Sequence, residues 1–181
     1  MVAEVLVRRG FEDLVPAWVD RYLLRLDHGW SPAVSALRGP TDADGAMSVL
    51  ADLVTAATLR YLRRGHGSPV LLVHTATAPN AVLHTLPELP RELWIPSLTA
   101  AWAAAAAIIA AYEPGEDAPE DRRPAVPDVS DPAAEIIERA AAHGDEHVIK
   151  FADTATDVFA RTGNPDALAA ALQVGEFIAP R

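Results

Sequence analysis

Ser97-Leu-Thr-Ala-Ala-Trp102-Ala-Ala-Ala-Ala-Ala-Ile108-Ile-Ala-Ala-Tyr112 is the stretch that decides the fold. Alanine has the highest helix propensity, and the run holds no glycine, no proline and no charge, so propensity alone makes it a helix. Its small side chains let neighbouring backbones approach closely, as a central helix of a bundle requires. Upstream, Pro87, Pro90 and Pro96 punctuate its approach. Downstream, Glu113 to Pro132 is rich in Pro, Asp and Glu and nearly free of large apolar residues. Such a composition cannot bury enough surface to order itself, so a flexible, exposed linker is expected at about 113–132.

The rest of the chain also has helical rather than strand periodicity. From Phe11 to Leu26, apolar residues recur at Leu14, Val15, Trp18, Val19, Tyr22, Leu23 and Leu26, the spacing of an amphipathic helix. A turn at Gly39–Gly45 leads into a helix from about Ala46 to Arg64, which Gly65-His-Gly67 stops. Ser68-Pro69 opens the next, with serine as the cap and proline at the first helical position. Pro79 has no N–H and should kink or restart that helix within His74-Thr-Ala-Thr-Ala-Pro79, freeing carbonyls near His74. Further helices are expected at about 133–142, 146–161 and 166–174, with Gly144 as a stop and Asp145 as a cap. No period-2 pattern of useful length and no repeat is present. The expectation is an all-α, single-domain multi-helix bundle over residues 1–181 with one long acidic, Pro-rich loop.

Composition narrows the function classes. A net charge of −10 repels phosphate backbones and anionic lipid, so neither nucleic acid nor membrane surface is an expected partner; a small molecule or another protein is. With no cysteine, disulfides, thiolate nucleophiles and sulfur-ligated metal sites are excluded, and any metal would sit on His, Asp or Glu. The N-terminal residues do not have the order of a secretory signal. The apolar run Ala100–Tyr112 reads as too short to span a bilayer, so a cytoplasmic location is expected.

Chemistry-bearing residues concentrate in His143-Gly-Asp-Glu-His147-Val-Ile-Lys150. If Asp145 caps a new helix, His143 belongs to the last turn of the previous one, where the helix dipole favours a cation. His147 and Lys150 then lie three residues apart on one helix, close enough to address a common atom. At about 100° per residue, Val148, Phe151, Ala155, Val158 and Phe159 form the apolar arc. His147 falls at its edge, open to a structural or a functional role. Lys150 falls beside Asp153 and Asp157, which read as surface pairing partners, while Ile149 breaks the polar face and suggests cover on a second side. His74, among apolar neighbours, is expected to be buried; His28, His66 and His84 read as structural or exposed. Nucleophile elbow, phosphate loop and His-Glu-x-x-His signatures are absent.

Several segments in order carry a family resemblance: His74-Thr-Ala-Thr-Ala-Pro79, the alanine-rich helix, the acidic linker, Gly144-Asp-Glu-His147-Val-Ile-Lys150 and Gly163-Asn-Pro-Asp-Ala-Leu. Together, over roughly Ala51 to Leu172, they resemble the C-terminal half of the questin oxidase-like proteins. Val2–Gly10 and Leu14-Val-Pro-Ala-Trp-Val-Asp-Arg-Tyr22 resemble the family's beginning, without the Asn-His-Gly-Pro element that precedes it. The resemblance implies an oxidoreductase, a non-haem iron oxygenase acting on a polycyclic aromatic ketone such as an anthraquinone. His74 and His147 would be ligands to ferrous iron, and Lys150 a catalytic and metal-binding residue in carbamylated form, with NADPH as the candidate reductant and a homo-oligomer left open. Imidazoles suit ferrous iron, and a lysine adds carbon dioxide only where its surroundings expose a neutral amine. Because the family's further histidines have no counterpart here, the alternative is a shortened, catalytically silent helical relative that binds a small molecule or a partner protein.

Overall fold

A computed structural model describes residues 39–119 and 123–181. These form six α-helices: α1 Ala43–Arg64, α2 Pro69–Thr85, α3 Trp94–Tyr112, α4 Pro132–His143, α5 Glu146–Thr162 and α6 Pro165–Phe177. Single 3₁₀ turns at Gly65–Gly67, Leu86–Glu88 and Arg91–Leu93 join the first three. No strand occurs among the described residues, and the chain is an all-α multi-helix bundle. The helix expected over Phe11–Leu26, His28 and the N-terminal part of the family resemblance lie outside the described residues.

Four of the six helices begin on a side-chain cap. Asp42, Asp131, Asp145 and Asn164 cap α1, α4, α5 and α6 by accepting a first-turn backbone N–H. Gly144 and Gly163 close α4 and α5 at φ of 81° and 68°, a conformation that costs glycine little. The structure departs from expectation at three places in α2 and α3. Ser68 occupies the N-cap position of α2 but its side chain makes no capping bond. Pro79 is accommodated inside α2, which runs unbroken from Pro69 to Thr85; Thr75 and Thr77 hydroxyls bond back to Leu72 and Val73 carbonyls there. Finally, α3 starts three residues early, at Trp94, so that Pro96 sits in its first turn, where a missing N–H has no intrahelical partner to lose. With the turn before it, Arg91–Tyr112 reaches 22 residues at mean hydropathy 1.7, long and apolar enough by length and composition to cross a bilayer. The shorter run considered from sequence stops short of that, although a bundle's core helix meets the same measure.

Two larger apolar clusters hold the bundle, and a third, small one joins Val54 of α1 to Val158 of α5 and Ala167 of α6. The larger joins Tyr61 and Leu62 of α1, Leu72, Val73 and Ala76 of α2, Val148, Phe151 and Ala155 of α5 and Leu168 to Val174 of α6. Tyr61 and Phe151 meet with ring centroids 4.7 Å apart, a tilted contact that favours the aromatic quadrupoles. The second cluster, Leu50, Leu53, Leu86, Trp94 and Leu98, fastens the other end of α1 to α2 and α3. Gly65 is fixed by packing: a Cβ there would lie 2.5 Å from the Tyr61 ring.

The acidic stretch after α3 is pinned at both described ends. Glu113, its side chain 7% exposed, lies between Arg60 and Arg64 at 2.7 and 3.4 Å. Asp117 pairs with Arg64, and Ala118 N–H donates to the Arg63 carbonyl at 2.7 Å. At the other end Arg123 pairs with Asp166 and Val126 packs on the larger cluster. Glu113 and Asp117, which suggest a free linker when read alone, find cations on α1, and Arg123 finds an acid on α6.

Candidate functional site

The interface of α2 and α5 carries the polar groups. His74 comes from the middle of α2 and His147 from the first turn of α5, and their rings stand edge to face with centroids 5.4 Å apart. Neither is deeply buried: His74 is half-buried, where burial was expected, and the His147 side chain is 16% exposed. His74 fails to bury fully because it sits at the rim of the α2–α5 contact, while Val73 and Ala76 take the core positions.

Asp145 organises His147. Its Oδ1 accepts the His147 backbone N–H at 2.9 Å and faces His147 Nδ1 at 3.1 Å; its Oδ2 accepts from Arg181 Nε at 3.0 Å. A carboxylate only accepts, so Nδ1 carries the proton and the neutral ring presents Nε2 as its lone-pair nitrogen. The backbone N–H of His147 is the main cause that holds the Asp145 carboxyl below its ordinary range, with the His147 side chain and the Arg181 charge adding to it against the effect of burial. His74 is pushed below the ordinary imidazole value, first by desolvation, then by the charge that His147 carries when protonated and by that of Lys150, with Glu146 opposing. Its neutral, lone-pair-bearing form is therefore favoured.

Lys150 lies near this pair but faces water. Its Nζ is 3.4 Å from Glu146 Oε2, one helical turn away, and both side chains are more than half exposed. The partners expected from the wheel are replaced: Asp157 instead accepts from Asn80 Nδ2 at 2.9 Å and His84 Nε2 at 2.6 Å, stitching α5 to α2. Ile149 is 43% exposed, not covered on a second side by the described residues. His143 ends α4 as expected and reaches the Ile178 carbonyl with Nε2 at 2.9 Å, while Arg181 N–H donates to the His143 carbonyl. Residues 178–181 thus strap the α4–α5 junction and deliver Arg181 to Asp145.

Sequence reading picked out His74, His147 and Lys150, and the fold brings these three to one face. It missed Asp145 as a histidine partner, although an Asx cap two residues before a histidine places that carboxylate beside its ring. Glu146 stands four residues before Lys150, a spacing that itself marks a helical ion pair, whereas Arg181 and the Asn80–His84–Asp157 network carried no signal in the sequence, because each depends on a distant segment. Among the described residues, no group of three or more His, Cys, Asp or Glu is placed to hold a metal ion. Of the two imidazoles, one has its lone-pair form favoured by desolvation and the other has its tautomer set by a carboxylate.

A separate apolar cavity of about 590 Å³ opens between α1 and α3. Its lining includes neither histidine, and none of its residues comes from α2 or α5. No family model, curated protein or solved structure matches this chain.

Proposed function

We propose that this protein is a questin oxidase-like oxidoreductase in which His74 and His147 hold ferrous iron and a polycyclic aromatic ketone, such as an anthraquinone, is the substrate. The observation that supports it is the 5.4 Å approach of two imidazoles from separate helices, with Lys150 close enough for its charge to act on His74. Two neutral imidazoles suit ferrous iron, which when bound supplies the electron that dioxygen requires, NADPH being the candidate source of its reduction. The chain's own part is positional. Asp145 fixes the His147 tautomer and turns Nε2 away from the α4–α5 junction, and Arg181 balances the charge of the buried carboxylate. Desolvation keeps His74 unprotonated at neutral pH. Lys150 supplies an oxygen ligand only as a carbamate, and that group has to displace Glu146, because like charges one turn apart repel.

Titration of the full chain with ferrous iron under anaerobic conditions tests this reading. One equivalent is expected to bind, with loss in His74→Ala and His147→Ala variants that keep their helical circular dichroism. Unchanged iron content in folded His147→Ala overturns it.

That no group of three or more His, Cys, Asp or Glu among the described residues is placed to hold a metal ion favours a second reading, a catalytically silent helical relative that binds a small molecule or a partner protein. It predicts no stoichiometric iron in the wild type and no oxygen uptake with an anthraquinone and NADPH.

A further inference from the structure

The cavity between α1 and α3 shares no residue with the histidine pair. Leu53, Ala56, Ala57 and Leu59 line it from α1, and Trp102, Ala105, Ala106, Ile109 and Ala110 from α3. Alanines at five of these positions leave the room that larger side chains would fill. At a rise of 1.5 Å per residue, the lining rows from Leu53 to Arg63 and from Trp102 to Ala110 are about 12–15 Å long. Both rows end near Glu113, which grips Arg60, so the slot has one apolar end at Leu53 and Trp102 and one cationic end at Arg60 and Arg63. Its volume of about 590 Å³ lies within the usual range of small-molecule sites, about 300–1,000 Å³.

The two arginines are not equivalent. Arg60 is committed to Glu113 through two contacts, Nε to Oε2 at 2.8 Å and Nη2 to Oε1 at 2.7 Å. Arg63 has Asp117 only at 4.0 Å and its side chain is 62% exposed, so its guanidinium can turn to a new carboxylate, for which its fork is suited. Among the described residues one available guanidinium lies at the mouth of this apolar slot, an arrangement that suits one negative charge on one apolar body.

We propose that this slot binds a medium-chain fatty acid, the acyl chain lying along the alanines toward Leu53 and Trp102 and the carboxylate paired with Arg63. An extended chain of about twelve carbons has a comparable length, each C–C bond being ~1.5 Å before its zigzag. The site stands apart from the His74–His147 face and from any activity there.

Isothermal titration of the full chain with dodecanoate, below its micellar concentration, tests the proposal, with dodecanol as the uncharged control. Saturable one-to-one binding of dodecanoate is expected. Arg63→Gln should weaken dodecanoate about tenfold and leave dodecanol nearly unchanged. Ala106→Trp, which fills the slot, should weaken both at least tenfold; Ala110→Leu serves in its place if the tryptophan variant does not fold. His147→Ala should bind dodecanoate as the wild type does, which separates this site from the metal reading. The proposal is overturned by any of three results: no saturable binding to the wild type, as when another part of the chain fills the slot; full dodecanoate affinity in Arg63→Gln; or loss of dodecanoate binding in folded His147→Ala.

Discussion

The helices of residues 132–177 and those of residues 69–112 are bounded by different means. In the first region α4, α5 and α6 each start on a side chain that accepts a first-turn N–H, and α4 and α5 stop on a glycine with positive φ. In the second, α2 and α3 start with no side-chain cap and are located by burial of Leu72, Val73, Trp94 and Leu98. Where local chemistry marks an end, position in sequence and position in space coincide. Where packing marks it, a helix can run through a proline, as at Pro79, or begin before the residue that seems to start it, as at Trp94. The histidine pair takes one member from each region: α5's cap sets His147, while packing along α2 sets His74.

The comparison breaks most completely at the point where the regions meet. Phe151 of α5 is fully buried in one apolar cluster with Leu72, Val73 and Ala76 of α2, and its ring also meets Tyr61 of α1. Phe151→Ala is expected to cost about 3–5 kcal/mol through the cavity it leaves, read as a lowered urea midpoint with both regions unfolding together. Separate transitions would show that the regions fold independently. Next is the corner after α1: Gly65→Ala drives a methyl into the Tyr61 ring and should cost about 1–3 kcal/mol. A substitution without effect would mean that packing does not fix this corner.

Caps sharpen the contrast directly. Asn164→Ala removes the bond to the Asp166 N–H and should cost about 1 kcal/mol. Ser68→Ala, at a position that looks equally cap-like in sequence, removes no capping bond and should stay within about 0.5 kcal/mol. Equal costs from paired denaturation curves would erase the distinction.

The smallest effect concerns pH. The folded His74 value lies below the unfolded one near 6.5. The unfolded chain therefore takes up a proton first as pH falls, and the contribution of neutral His74, complete above about pH 6.5, is lost as pH drops through the folded value. In metal-free protein His74→Gln should flatten that part of the profile of melting temperature against pH. A profile unchanged by the substitution would show that His74 is as hydrated when folded as when unfolded.

How far the sequence could be read follows the same division. Asp145 and Gly144 were legible because capping and left-handed turns join residues within a few positions of each other. The arc Val148–Phe151–Ala155–Val158 was legible because helical periodicity alone sets it. Lys150's partner was misassigned: a wheel gives angles but does not say that Asp157 is drawn away by Asn80 and His84. The linker's anchoring was hidden because the cations that hold Glu113 and Asp117 lie on α1, some fifty residues earlier.

By itself, then, the sequence determined the all-α class, most helix boundaries and a short roster of residues with chemistry, since propensity, periodicity and capping are local terms. Only the tertiary structure decided that His74 and His147 meet, that Arg181 reaches Asp145 beside His147, and that α1 and α3 leave an apolar slot with an arginine at its mouth. These are contacts between distant segments, and their free energy depends on how whole helices pack.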